Sequence, residues 1–387
     1  MSAREQASPG IASAALTDGG GLRERWLDFR NRLLASPRFH RWAARFPLTR
    51  IVARRRARRL FDIGAGFVYS QILLACVQLG LFERLADGPL SIEDLAEAMQ
   101  LPFAGAERLL LGAETLQLVE RRDGGRYGLG QLGAAVLGNP GIGAMVAHHT
   151  SLYADLQDPV ALLRGRSDTR LSRFWPYATT ATPGALPAQE VDAYSDLMAA
   201  SQTFVADDVL TSYSLRRFRH LLDLGGGDGR FAATAAQRWP QLQVTVFDLP
   251  AVAERAGRRF AREQLSARAR AIGGDLLKDP FPEGADIMSL VRVLHDHDDA
   301  AVRTILGSAK SALRPGGVLL IAEPMAATRG AEPIGEAYFG FYLLAMGSGR
   351  PRTVGQLTAL LHEAGFHDAK PVATLHPLMV RLLVARA

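Results

Sequence analysis

The rhythm of apolar and polar positions changes partway along the chain. In the first part apolar residues recur every three or four positions, the period of one helix face. Phe39, Trp42, Ala43 and Phe46 make such a stripe within 22–46, ended by Pro47, and predict an N-terminal helical extension. Ala53, Ala57, Leu60, Phe61 and Gly64 make another, and Ile72, Leu73, Ala75, Cys76 and Leu79 predict a buried helix within 67–85 that stops near Gly88-Pro89. Ser91 then opens "SIEDLAEAM" as an N-cap with Asp94 at the third helical position, close to a capping box. A second helix follows over Ala104 to Leu116. "LVERRDGGRYGL" next places two strand-like arms around Asp123-Gly124-Gly125, a hairpin signal. Helix, turn, helix and hairpin in that order predict a winged-helix module over 67–137.

Residues 148–210 read as helical and loop-rich, punctuated by Pro159, Pro176, Pro183 and Pro187. From His220 the period changes to strand and helix in alternation. "HLLDLG", "VTVFDL", "ARAIGGD", "ADIMSLV" and "GVLLIAEP" are the strands, with amphipathic helices at Arg230 to Trp239, Ala251 to Gln264 and Ala300 to Leu313. Such alternation predicts an α/β fold, a mostly parallel sheet with helices on both faces.

Composition narrows the picture. At 387 residues, 48% hydrophobic and 22% charged, two globular domains are expected, with disorder only in the Gly/Ser-rich start at 1–21. The single cysteine, Cys76, excludes an internal disulfide. No uninterrupted run of 18 apolar residues and no signal-peptide order occur, so a cytoplasmic protein is expected. The net charge of +6 is nearly all arginine, because Lys278, Lys310 and Lys370 are the only lysines. Arg50, Arg54, Arg55, Arg56, Arg58 and Arg59 concentrate it; a solvated helix face is the first reading, contact with an anionic membrane the second. A winged helix also raises DNA binding, but the second helix offers only Arg108, beside Glu107 and Glu114 that repel phosphate, so no nucleic-acid partner is expected.

The strongest local signal is "LLDLGGGDGR", a strand running through Gly225, Gly226, Gly227 and Gly229 into a helix. Glycines there let the backbone turn sharply and approach a ligand. The spacing is G-x-G-x-G rather than the G-x-G-x-x-G of dinucleotide folds, and Asp228 inside the loop opposes a pyrophosphate but suits a ligand bearing an amino group and a sulfonium. Asp248 ends the strand "VTVFD" where a carboxylate can accept from both ribose hydroxyls, and Asp275, after Gly273-Gly274, is placed to meet an adenine amino group. With Leu249 and Leu276 beside them, these residues predict an adenosyl site without phosphate, and a dehydrogenase is disfavoured.

At this point the sequence resembles, across nearly its whole length, the class I S-adenosylmethionine-dependent O-methyltransferases of the plant and bacterial small-molecule type. The family pairs a winged-helix dimerisation domain with a Rossmann-like catalytic domain. The resemblance thus implies an extension and dimerisation domain at 1–145, a connecting and substrate-wall segment at 146–210, a catalytic domain at 211–387, and a homodimer. Its catalytic motif His-Asp-x-x-Asp reads here as His295, Asp296 and Asp299 in "VRVLHDHDD". The resemblance implies that His295 is the general base, that Arg292 helps position the cofactor, and that Glu323 in "LLIAEP" orients the imidazole. These intact residues disfavour a regulator that merely senses the cofactor.

Two departures stand out. His297 replaces the tryptophan common two residues after the catalytic histidine, and "RPRT" puts Pro351 where relatives carry a second glutamate. Glu323 is therefore expected to support His295 alone, and Glu323→Gln to cost less activity than loss of His295. No metal is expected from His295, His297, Asp296, Asp298 and Asp299, since consecutive loop residues diverge and capping of the following helix explains part of the cluster. "RFHRWAARFPLTR", "RFWPY", "VRVLHDHDD" and "GSGRPRT" bring the resemblance nearer to the carotenoid O-methyltransferases of phototrophic bacteria, the hydroxyneurosporene and demethylspheroidene types. That narrower likeness implies the tertiary hydroxyl of an acyclic hydroxycarotenoid as acceptor, with a phenolic or polyketide acceptor as the alternative. Phe174, Trp175, Tyr338, Phe339, Phe341, Tyr342 and Met346 are candidate acceptor contacts.

Overall fold

The computed structural model describes residues 21–166, 168–175 and 188–387. Residues 1–20 of the Gly/Ser-rich start and Pro176, Tyr177, Pro183 and Pro187 lie outside the described residues. Contacts divide the chain into two units, 1–71 and 72–387.

In the first unit α1 spans Leu22–Ala35, α2 spans Pro37–Arg45 and α3 begins at Pro47, running to Gln78 in the second. Proline has no backbone N–H to lose at a helix start, which suits Pro37 to the first position of α2. Pro47 both follows the predicted stripe and opens α3. The Thr49 hydroxyl donates to the Ala43 carbonyl at 2.8 Å, tying the bend between α2 and α3. The arginine-rich segment and the predicted buried helix are therefore one helix of 32 residues. It is long and apolar enough to cross a bilayer by length and composition, although Asp62, glycines and polar residues interrupt its apolar run.

The second unit continues with α4 (Leu81–Arg84), entered through left-handed Gly80, then α5 (Ile92–Ala98) and α6 (Phe103–Thr115). Ser91 caps α5 as predicted: the Asp94 N–H donates to its hydroxyl oxygen at 3.1 Å, and the hydroxyl donates back to the Asp94 carboxylate at 2.8 Å. The antiparallel pair β1 (Val119–Arg121) and β2 (Tyr127–Leu129) completes the winged-helix order. Cys76, Leu81, Phe82, Leu95, Leu110 and Val119 fill the core of this module. The connecting helices are α7 (Gln131–Leu137), α8 (Pro140–Asp155), α9 (Pro159–Leu163), α10 (Arg170–Phe174) and α11 (Ala188–Ser212). Pro159 starts a helix rather than breaking one.

The alternating region forms β3 (His220–Leu224), α12 (Arg230–Arg238), β4 (Gln243–Asp248), α13 (Pro250–Arg262), β5 (Ala269–Gly273), β6 (Ile287–Val291), α14 (Asp299–Ala312) and β7 (Val318–Glu323). A π-helical turn (Pro333–Phe339) leads into α15 (Gly340–Met346), followed by α16 (Val354–Glu363), β8 (His367–Val372) and β9 (Arg381–Arg386). The seven-stranded sheet has the order β5-β4-β3-β6-β7-β9-β8, its first five strands parallel and β9 antiparallel to both neighbours. The five predicted strands are the parallel ones; the antiparallel pair was not anticipated. Phe231, Ala236, Val246 and Phe260 pack one face, while Leu222, Leu290, Ile305 and Leu319 pack the other. Fully burying one such phenylalanine or leucine contributes about 1.5–3 kcal/mol. From β3 the chain steps outward to β4 and β5, then returns to lay β6 on the other side of β3. That reversal opens a crevice at the carboxyl ends of β3 and β6, where ligands bind in open α/β sheets.

Candidate active site

The glycine loop leaves β3 with Gly225, Gly227 and Gly229 at φ of 64°, 60° and 79°, conformations that side chains rarely adopt. A β-carbon on Gly225 would meet Val293 at 2.8 Å, and one on Gly229 would meet Phe260 at 2.9 Å. One on Gly227 would meet nothing within 4 Å. Gly225 and Gly229 thus serve close packing, while Gly227 keeps open space beside the cleft. The Gly227 N–H donates to Asp248 Oδ2 at 2.8 Å and the Leu249 N–H to Oδ1 at 2.7 Å, so the carboxylate at the end of β4 holds the loop. Burial pushes the Asp248 carboxyl up to about 6, against the two N–H donors that hold it down.

Asp228 has a different place from the one expected. Its carboxylate is ion-paired with buried Arg259 of α13, and Arg259 Nε donates to the Asp228 carbonyl at 3.0 Å. It pins the loop to α13 rather than offering a free anion to a ligand. Asp275 accepts from the Leu277 N–H at 2.9 Å and faces Lys278 at 3.4 Å. Asp223, one residue before the end of β3, has no motif to mark it in the sequence. Ser289 donates to one of its oxygens at 2.6 Å; the other has no hydrogen-bond partner among the described residues. Burial pushes Asp223 up to about 7.

A cleft of about 460 Å³ brings together all seven predicted cofactor residues: Gly225, Gly227, Asp248, Leu249, Asp275, Leu276 and Arg292. Apart from Asp228, whose charge Arg259 takes up, Asp248, Asp275, Asp296 and Asp298 line it against the cations Lys278 and Arg292, with Leu249, Val252 and Leu276 as apolar walls. The excess of carboxylates fits a cationic adenosyl group bearing hydroxyls and opposes a pyrophosphate.

Across the crevice, β6 ends at Val291 and Arg292 follows at φ 60°, its N–H donating to the Ala322 carbonyl at 2.8 Å. One 3₁₀ turn, Leu294–Asp296, then presents His295. Glu323, at the end of β7, accepts through Oε1 from the Val293 N–H at 3.0 Å and the Leu294 N–H at 2.7 Å. Its Oε2 accepts from His295 Nδ1. His295 Nε2 lies 3.2 Å from Asp296 Oδ1. Burial works to lower the histidine, but the charges of Glu323 and Asp296 outweigh it and hold the imidazole above its ordinary range.

The "GSGRPRT" segment braces this turn by its backbone. Ser348 donates to the Asp296 carbonyl at 2.6 Å and the Arg350 N–H to the His295 carbonyl at 2.9 Å. Buried Arg352 donates to the carbonyls of Leu294 and His297, both at 2.7 Å, and pairs with Asp299 at 2.8 Å. Gly349 is required there, since a β-carbon would lie 2.1 Å from the His295 carbonyl oxygen. The expectation that Glu323 alone supports His295 is corrected accordingly: Asp296 contacts the second ring nitrogen, and Arg350 and Arg352 fix the loop around Pro351. The histidine and aspartate cluster is divided among these tasks. Asp298 caps α14 by accepting from the Ala301 N–H at 2.8 Å, and hydrogen bonds from Arg350, then Arg352, hold Asp299 down to about 2.

Beside the imidazole, the Phe339 ring packs at 5.8 Å and opens onto an aromatic wall. Tyr338, Phe339, Tyr342, Phe174 and Trp175 converge there, with Met346 fully buried in the same cluster. Two residues unforeseen from sequence complete it. His148 Nε2 hydrogen-bonds the Tyr342 hydroxyl at 2.9 Å, and His149 Nε2 that of Tyr338 at 2.7 Å. Burial lowers both histidines, His148 to about 4, so the wall is polar in places yet uncharged at neutral pH.

The O-methyltransferase domain profile matches residues 141–367, and the O-methyltransferase dimerisation domain profile matches 61–139. The chain is 42% identical to demethylspheroidene O-methyltransferase of Cereibacter sphaeroides over 356 residues, 92% of this chain and 93% of that protein. It is 39% identical to the enzyme of the same name from Rhodobacter capsulatus over 380 residues, 97% and 93% of the two chains. Among solved structures, human N-acetylserotonin methyltransferase in complex with S-adenosylmethionine is similar, with a TM-score of 0.72 at 29% identity, over 85% of this chain and 97% of that one.

Proposed function

The chain belongs to the S-adenosylmethionine-dependent O-methyltransferase family, and from that premise we propose that His295 is its general base and that its acceptor is the tertiary hydroxyl of an acyclic hydroxycarotenoid. The observation that carries the chemistry is the Glu323–His295–Asp296 arrangement, of which Asp296 lines the cleft while His295 and Glu323 lie buried behind it, next to an uncharged aromatic cluster. The acceptor rests on likeness to demethylspheroidene O-methyltransferases over more than nine-tenths of the chain.

Asp248 and Asp275 would hold ribose and adenine, Leu249 and Leu276 the faces of the base, and Gly227 the close approach of the backbone. Bound there, S-adenosylmethionine supplies an electrophilic methyl group on a sulfonium. His295 Nε2 takes the acceptor's hydroxyl proton while Glu323 keeps Nδ1 protonated and the ring oriented. A tertiary alcohol is a poor acid, so the proton leaves as the C–O bond forms and the methyl–sulfur bond breaks, its electron pair departing on a neutral thioether. Alignment by the aromatic wall then supplies much of the rate.

The protein works as a homodimer through its dimerisation domain, in the cytoplasm and at the periphery of the membrane that dissolves such an acceptor. The test is incubation with S-adenosylmethionine and a detergent-dispersed hydroxycarotenoid, read by mass spectrometry. One added methyl on the tertiary oxygen is expected. Turnover of phenols alone would overturn the acceptor, and cofactor binding without transfer to any hydroxyl would overturn the enzymatic assignment of His295. Light scattering at micromolar protein should give a dimer.

A further inference from the structure

Charge is divided very unevenly between the two units. Residues 21–71 hold 13 arginines against three carboxylates, a net +10, whereas the whole chain carries +6, so the remainder is net acidic. Most of this segment precedes the dimerisation match at 61–139. On α1, Leu22, Trp26, Phe29 and Leu33 follow one another at intervals of one helical turn, and each is exposed, Trp26 by 61%. On α2, Trp42 and Phe46 stack at 5.2 Å with about half of each ring in solvent, beside Arg38, Arg41 and Arg45. On α3, five arginines fall within six residues at 54–59, all of them exposed.

We propose that α1, α2 and the first half of α3 form a docking surface for an anionic lipid membrane. The aromatic and leucine side chains enter the interface, and the arginines meet the headgroups. Exposed apolar side chains of this number need an occupant that buries them, and the arginines need one that supplies negative charge. A lipid surface does both. A second copy of the same surface would bring +10 against +10, and a nucleic acid would satisfy the arginines while leaving the leucines in water. A membrane span is disfavoured because the apolar half of α3 carries Leu74 and Cys76, which are buried within the protein, Cys76 in the core of the winged-helix module. The inference rests on the acceptor reading for its purpose, delivery of a bilayer-dissolved carotenoid, but its test contains no acceptor.

The experiment is cosedimentation of the full chain with vesicles of mixed phosphatidylglycerol and phosphatidylcholine, or of phosphatidylcholine alone. Tryptophan quenching by brominated lipid is read in parallel. Preferential binding to the anionic vesicles, with quenching that disappears in W26F/W42F, is expected. R54Q/R55Q/R56Q/R58Q/R59Q should bind about tenfold more weakly or worse. Absence of binding to anionic vesicles overturns the proposal. Binding without bromolipid quenching overturns it too, since that reports charge adsorption without insertion. Tighter binding to a single-stranded oligonucleotide than to vesicles assigns the surface to nucleic acid, and a dimer lost in W26F/W42F with vesicle binding unchanged assigns it to a second copy. Should the arginine variant misfold, quenching in the parent protein still decides. Methyl transfer to a detergent-dispersed acceptor is independent of all these outcomes.

Discussion

Asp296 Oδ1 lies 3.2 Å from His295 Nε2, the ring nitrogen opposite the one held by Glu323. The imidazole thus sits between two carboxylates, an arrangement that stabilises its protonated form. A base must be deprotonated to act, so kcat/KM should rise with pH through a limb above the ordinary histidine range. Asp296→Asn removes one of the raising charges and should move that limb to lower pH. A pH–rate profile of both proteins checks this; an unmoved limb would detach Asp296 from the base.

Glu323→Gln separates charge from geometry. The two backbone N–H groups of Val293 and Leu294 demand an oxygen at Oε1, which leaves the amide nitrogen facing His295 Nδ1. Nδ1 must then accept, the neutral ring carries its proton on Nε2, and the lone pair needed for the acceptor is gone. This revises the expectation of a cost smaller than that of losing His295: the loss should be about 100-fold or more, near that of His295→Ala. Calorimetry with S-adenosylmethionine should show nearly unchanged affinity in both variants, because neither side chain reaches the ribose site.

Asp248→Asn should weaken S-adenosylmethionine by about 10- to 100-fold, the size of one or two charge-assisted hydrogen bonds. Since burial holds its carboxyl at about 6, the ionised acceptor is lost as pH falls through that value, and affinity of the parent protein should decline there. Calorimetric titration at several pH values reads both effects. Affinity in the variant equal to the parent's would remove Asp248 from the site.

Two glycines only two residues apart should behave differently. Gly229→Ala drives a methyl group into Phe260 at 2.9 Å and strains a φ of 79°, so thermal unfolding should show a loss of roughly 1–3 kcal/mol. Gly227→Ala meets nothing within 4 Å and carries only the cost of its positive φ, about 1–2 kcal/mol, while placing a methyl beside the cleft. The first should lower stability more than cofactor affinity, the second the reverse.

Tyr338→Phe removes the hydroxyl paired with His149 and leaves that half-buried ring nitrogen without its tyrosine partner. The acceptor KM should rise with the cofactor's affinity unchanged, as measured by initial rates with each substrate varied. An effect on the cofactor alone would place the aromatic wall elsewhere in the reaction.

Much of this protein is written in short stretches. Five parallel strands, the α5 cap at Ser91, the hairpin at Gly124-Gly125 and the turn at Gly225 to Gly229 each depend on periodicity, capping or φ within a few residues, and these are local properties of a chain. Gly225, Gly227, Asp248 and Asp275 follow from the same logic, because a parallel sheet brings its strand ends to one edge once the strands are known, whereas Arg292 rested on the family resemblance. The antiparallel pair β8 and β9 escaped notice because β8 is a largely exposed edge strand, with Pro371 and a bulge between His367 and Lys370, and shows no apolar alternation. Tertiary structure alone decided the rest. His149 meets Tyr338 across 189 residues, Arg352 reaches Leu294 across 58, and Arg259 claims Asp228 across 31. None of these pairs has a local signature, since a side chain's partner is chosen by which surfaces the packed helices and strands bring within hydrogen-bonding distance.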